Sequence, residues 1–198
     1  MFLSLTGICL VSGGILSGVN MLTAAPIEEA KAKTLETAIR NVVPEFDNSP
    51  TKEVYMAATS EGDSLKIYPA KKGDEMIGVA VESITKKGFS GEIKIIVGFD
   101  TDGKILNYSV LQHAETPGLG SKMQEWFRTD RNKQNIIGRT MSKEPLKVVK
   151  DGGDVDAITA ATISSRAFLD AINRAYSAFS QTDVTSGATA TDKEGGNK

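Results

Sequence analysis

Residues 156–162 read Asp-Ala-Ile-Thr-Ala-Ala-Thr, and two hydroxyls, Thr159 and Thr162, stand just ahead of an amphipathic run. Thr162 opens that run. Its hydroxyl is therefore placed where the free N–H groups and the positive end of a helix favour a phosphate. Thr159, Ala160 and Ala161 are small, so a phosphate and an enzyme delivering it can reach the backbone. The plainer alternative is that Thr159 or Thr162 only caps the helix. About forty residues upstream, residues 113–120 read His-Ala-Glu-Thr-Pro-Gly-Leu-Gly. Pro117, Gly118 and Gly120 let backbone amides approach a flat ligand, while Glu115 and Thr116 offer polar atoms to its edge. An ordinary Pro-Gly turn is the alternative. Lys150, six residues before Asp156, is a candidate partner for a phosphate or for the negative charge of a reduced cofactor. A solvated lysine would look the same.

Composition narrows the chemistry. The chain has 198 residues, room for one domain with appendages. It is 40% hydrophobic, and a net charge of −2 gives no sign of nucleic-acid binding. One His and one Cys, the latter (Cys9) inside an apolar run, exclude a His/Cys zinc site, an iron–sulfur cluster and an internal disulfide. Redox chemistry would have to come from a bound organic cofactor. No Gly-x-Gly-x-x-Gly follows a strand, so nothing suggests that the domain itself binds NAD.

The elements that must position these residues can be read from periodicity. Residues 1–25 carry no charge and form an apolar run long enough for a transmembrane helix, which needs about 20 residues. A cleaved signal peptide ending near Ala25 is the competing reading, but no Lys or Arg precedes the run and it exceeds the usual apolar core of a leader. The missing basic flank also suggests a start further upstream. Gly14 and Gly18 make a small-xxx-small pair that would let another helix approach closely. Glu28, Glu29, Lys31 and Lys33 nearly cancel, so charge does not set the orientation. Pro26 is expected to end the span. A linker follows over residues 26–52, with an amphipathic helix carrying Leu35, Ala38, Ile39, Val42 and Val43 on one face and stopping near Pro44.

Strands are expected over residues 53–58, 64–68, 75–84, 91–99 and 104–112, with turns at Gly88–Gly91 and Asp100–Gly103. The last hairpin would deliver His113 and Glu115 to a loop. A short helix should begin near Gly120 and include Met123, Trp126 and Phe127; another short strand is expected over residues 146–149. The final helix should run from Thr162 to Phe179 with Ile163, Ala167, Phe168, Ala171, Ile172, Ala175 and Phe179 on its apolar face. Residues 181–198 are low in large apolar side chains and read as a disordered tail. The fold class is α+β: one N-terminal transmembrane helix, then a domain over residues 53–180 with a mostly antiparallel sheet and flanking helices.

The two segments, in this order, resemble the FMN-binding domain of the G subunit of Rnf-type ion-translocating electron transport complexes and of the C subunit of Na+-translocating NADH:quinone oxidoreductase. The resemblance covers about residues 30–180. It implies covalent FMN, joined through a phosphoester to Thr162, with Asp156, Thr159, Ala160 and Ala161 around the attachment and isoalloxazine contacts from Glu115, Thr116, Gly118 and Leu119. Lys150 would assist. His113 reads as a structural residue, and Trp126 either flanks the ring or fills the core. Ala160 stands where the family usually has Gly: costly if that position needs positive φ, harmless if it need only be small. A second match, residues 183–189 ending in Thr189, has the Gly in place but lacks a following amphipathic helix and a pocket.

The implied role is electron relay inside an ion-translocating ferredoxin:NAD oxidoreductase, as a single-pass inner-membrane protein with its domain on the periplasmic side. Its partners would be other membrane subunits and a flavin transferase that installs FMN from FAD. The alternatives are the quinone-reductase C subunit, which is generally longer, a secreted FMN-domain reductase, and a membrane-tethered assembly module without flavin.

Overall fold

The computed structural model describes residues 2–142 and 144–181. Residues 182–198, with Thr189 and the expected tail, lie outside the described residues. The chain divides into two compact units, the first ending at Thr37 and the second beginning at Ala38.

The first unit consists of helix. Helix α1 is Phe2–Val42, and its stretch from Leu5 is long and apolar enough to cross a membrane, with a mean hydropathy of 1.7. Leu5, Ile8, Leu10, Val11, Ile15 and Leu16 are all exposed, an arrangement that favours a lipid environment over water. The break expected at Pro26 is absent: Pro26 lies inside α1. Proline removes one backbone donor, but the good helix formers that follow it (Glu29, Ala30, Lys31, Ala32, Lys33) carry the helix onward. The stop comes at Val42, two residues before Pro44, where the residue preceding proline is pushed out of the helical region.

The second unit is built on an antiparallel sheet in the order β1 (Tyr55–Ala58), β2 (Ser64–Lys72), β3 (Glu75–Thr85), β4 (Ile93–Phe99) and β5 (Ile105–His113). One face carries Leu65, Ile67, Val79, Val81, Ile93, Ile95, Val97 and Phe99 into the main core. Helix α3, Thr162–Ser180, packs there through Ala167, Phe168, Ala171, Ile172, Ala175 and Phe179. Ile163, expected on the same face, is 48% exposed, because Ser164 and Ser165 take the inward positions of the first turn. Phe168 of α3 stacks on Phe127 at 4.6 Å with planes 3° apart and meets the edge of Tyr108 at 4.9 Å. Two rings thus fix the height and rotation of the helix.

The opposite face is also buried. Tyr68, Ala70, Ala80 and Ile96 lie beneath the end of α1, where Ile39, Val42 and Val43 are at most 1% exposed. A Cβ at Gly98 would collide with the Val42 carbonyl, so glycine is what admits the helix end to β4. After β5 come a 3-10 turn at Gly120–Lys122 and α2 at Met123–Trp126. The strand expected over residues 146–149 is not formed. Val148 makes a single parallel bridge to Val155, and Val149–Asp151 is a 3-10 turn. Pro145 precedes this stretch and Gly152, at φ 81°, reverses the chain after it, leaving too little length for a ladder.

Candidate functional site

The loop after β5 and the first turn of α3 are about forty residues apart in sequence and meet in space through Glu115. Its carboxylate is only 4% exposed. Oε1 accepts from the Ser90 backbone N–H at 2.9 Å, and Oε2 accepts from the Ser164 hydroxyl. Ser90 belongs to the β3–β4 turn and Ser164 to the first turn of α3, so one side chain joins three segments. Gly120 completes the junction: a Cβ there would stand 2.5 Å from Ser164 Oγ and 2.6 Å from Glu115 Oε2. The loop can lie against the helix only because that position carries no side chain.

The loop itself is a compact turn. The Thr116 carbonyl accepts from the N–H groups of Leu119 and Ser121, and the Gly118 N–H donates to Ser121 Oγ at 2.9 Å. Thr116, Pro117, Gly118 and Leu119 are exposed, with Leu119 offering apolar surface at 39% exposure. His113 ends β5 half-buried. Its Nδ1 accepts from the Glu115 N–H at 3.2 Å, and its Nε2 lies 3.2 Å from the Gln124 side-chain amide nitrogen. The first of these bonds ties the ring to the start of the loop.

The segment over residues 156–162 is a tight turn leading into a helix. Ala161 N–H donates to the Ile158 carbonyl at 3.0 Å, closing a turn in which Ala160 has φ 60°. Positive φ at the third turn position is the geometry that favours glycine. The departure at Ala160 therefore has a cost: the position needs left-handed backbone, and alanine adopts it under strain. Neither Thr159 nor Thr162 caps α3. Ala161 holds the cap position, and no side chain closes it. Ser165 instead locks the turn from inside, its Oγ accepting from Ile158 N–H and donating to the Ala161 carbonyl, both at 2.9 Å. Thr159 and Ala160 are exposed and Thr162 is half-buried.

Asp156 and Lys150, both upstream of this turn, differ in how they are held. Asp156 is pinned to Lys133, accepting its N–H at 3.0 Å, while its own carbonyl accepts from Trp126 Nε1 at 2.9 Å. Trp126 is half-buried against the core and also borders an open groove of about 520 Å³ with Ser121, Lys122, Gln124, Arg131 and Gln134. Lys150 is exposed on the 3-10 turn Val149–Asp151. Its neighbour Asp151 holds that turn to α3 through two bonds from Arg166, at 2.6 and 2.7 Å. The Arg166 guanidinium keeps the Asp151 carboxyl below its ordinary range.

Residues 88–177 match the FMN-binding domain family. The matched stretch begins at the turn that holds Glu115 and ends within α3, so it contains every segment of the site. Over 181 residues the chain is 34% identical to the G subunit of the ion-translocating oxidoreductase complex of Shewanella oneidensis, covering 87% of this chain and 84% of that protein. It is 36% identical over 167 residues to the corresponding protein of Vibrio parahaemolyticus, covering 80% and 78%. For that of Photorhabdus laumondii the identity is 35%, covering 81% and 80%. The chain belongs to the family of Rnf-type G subunits.

Family membership makes FMN the cofactor of the domain and an electron-transfer subunit of an ion-translocating oxidoreductase the class of protein. Sequence reasoning missed Ser90, Ser164, Ser165 and the Asp151–Arg166 pair. Gly88–Gly91 reads as a turn and nothing more. The two serines carried a signal, since paired hydroxyls one turn before Phe168, on the face that enters the core, must find partners there.

Proposed function

We propose that Thr162 carries FMN through a phosphoester and that the chain relays electrons within an ion-translocating ferredoxin:NAD oxidoreductase. The observation that carries this reading is the junction at Glu115, which sets the Thr116–Leu119 surface beside the uncapped first turn that Thr162 opens. The donor set suits the group. A free helix end and a hydroxyl meet a phosphate, the exposed Thr159 and Ala160 leave the backbone open to it, and Asp156 anchors the segment. Lys150 supplies a nearby cation on a turn held to the same helix by Asp151 and Arg166. Thr116, Gly118 and Leu119 offer polar and apolar contacts to the ring, with Glu115 in the loop behind them. No atom lies within 4 Å of the space a Cβ at Gly118 would take, so the loop can be approached closely. The groove beside it falls in the range of about 300–1,000 Å³ usual for cofactor sites.

A flavin transferase would load the site from FAD. Thr162 Oγ1 bonds to the phosphorus that bears riboflavin, the bridge to AMP breaks, AMP leaves, and the hydroxyl proton passes to solvent. Bound FMN supplies one-electron and two-electron transfer, and a covalent tether keeps it from being lost. In this reading the apolar helix anchors the protein in the cell inner membrane with a single pass, and the domain works on the periplasmic side among the other membrane subunits. Full-length chain co-expressed with a flavin transferase should yield one flavin-bearing peptide by mass spectrometry, containing Thr162. Thr162→Ala should abolish in-gel flavin fluorescence and Thr189→Ala should leave it. The reverse pattern would reject the assignment.

A further inference from the structure

We propose that Glu115 is a positioning residue whose bond to Ser164 sets the direction of the Thr162 hydroxyl relative to the loop, so that the latch governs flavin loading. The inference rests on Thr162 being the acceptor. It starts from an expense that the fold does not need for its core. A buried carboxylate is costly unless it is fully hydrogen-bonded, and apolar residues of similar shape would usually serve stability as well. Here the surroundings are built for it. Ser90 N–H and the Ser164 hydroxyl both donate to it, and Gly88 and Gly120 stand where a Cβ would fall 2.8 Å from Oε1 and 2.6 Å from Oε2.

Position along the helix gives the latch its consequence. Ser164 and Thr162 are two residues apart, which turns their side chains about 200° from one another. When Ser164 is drawn inward to Glu115, at 2% exposure, Thr162 is turned outward and left half-buried. Ser165 fixes the same turn to Ile158 and Ala161, but its hydroxyl bonds stay within that turn. The Glu115–Ser164 bond ties the attachment turn to the loop that carries the residues 116–119 surface. Breaking it frees the first turn of α3, which has no side-chain cap, to shift against the loop while the aromatic stack around Phe168 still holds the rest.

The test uses full-length chain co-expressed with a flavin transferase, reading covalent flavin per protein, the visible flavin spectrum and the melting temperature of each variant. Glu115→Ala and Ser164→Ala should each lower loading, by about tenfold for the first, because small displacements of a reacting group cost large factors in rate. Glu115→Gln can keep both bonds, its oxygen accepting from Ser90 and its amide donating to Ser164, and should load to within about twofold of wild type. The double variant should load no worse than Glu115→Ala alone, since both changes remove one interaction. Residual flavin in Glu115→Ala should show shifted visible bands. Wild-type loading with an unshifted spectrum in folded Glu115→Ala or Ser164→Ala would overturn the proposal, as would strictly additive losses. Should Glu115→Ala fail to fold, Ser164→Ala and Glu115→Gln decide: reduced loading in the first and retained loading in the second support the latch, and equal loading in both overturns it. Flavin that persists in Thr162→Ala would instead reject the acceptor itself.

Discussion

Ala160→Gly should stabilise the domain, although replacing alanine by glycine usually does the opposite. Ala160 sits at φ 60° in the turn between Ile158 and Ala161. An L-residue held in the left-handed region loses about 1–2 kcal/mol through the approach of its Cβ to the following carbonyl. Glycine removes that strain but brings an added entropy loss on folding of about 0.5–1 kcal/mol. Ala160 is exposed, so no packing term enters. The balance is a gain of about 0.5–1 kcal/mol, or roughly 1–4 °C in melting temperature for a domain of this size. Far-UV circular dichroism melts of the full-length chain in detergent would measure it. Ala160→Thr is the matched control: a β-branched residue tolerates positive φ worse than alanine and should lower the melting temperature. An Ala160→Gly protein that melts at or below wild type, or an Ala160→Thr protein that melts above it, would refute the strain argument.

Phe168→Ala should cost about 3–5 kcal/mol, measured by urea unfolding, because it empties the space between Phe127 and Tyr108. Melting temperature should hold as pH falls from 7 towards about 4.5 and drop below it. Glu53, lowered mainly by its hydrogen bond from Lys71, and Asp151, lowered mainly by Arg166, give stability that is present above their unfolded values of about 4.3 and 3.9 and lost as pH falls through the folded ones. The Lys87–Asp170 pair behaves oppositely: its hydrogen bond raises the Lys87 value, so its contribution is present below about pH 10.4 and lost as pH rises through the folded value. Asp151→Asn should flatten the acid limb, and an unchanged limb would discount the Arg166 bracket. Replacing Gly14 and Gly18 with Leu should leave the protein in the membrane fraction but reduce its co-purification with partner subunits; unchanged recovery would make the helix an anchor only.

Much of this architecture is legible one element at a time. The alternation of Ile93, Ile95 and Val97 places β4, and the apolar face of residues 162–179 places α3, because both periodicities are imposed by the sheet and the core they meet. What escapes is set by distant contacts. Ile96 and Gly98 read as the outward face of β4, yet both are buried beneath the end of α1, a covering that arrives from some fifty residues away. Pro26 shows a local rule overridden by strong helix formers on its C-terminal side, and residues 146–149 show strand propensity defeated by Pro145 and Gly152, which leave no room for a partner.

The candidate site divides along the same line. Thr162 is proposed from its place at the start of an amphipathic helix together with the family resemblance, and Ala160 could be flagged as a conditional departure whose meaning depended on one backbone angle. Glu115 could not be placed from sequence, since a charged residue in a Pro-Gly loop is by default a surface group. Its burial depends on a donor from Ser90, a donor from Ser164 and two glycines, and those four residues lie in three separate segments. A buried charge held this way is a poor way to gain stability and a good way to specify one arrangement of parts. In this domain the arrangement so specified is the one between the loop after β5 and the turn that opens α3. The residue with the least visible reason in the sequence is therefore the one that makes its two motifs a single site.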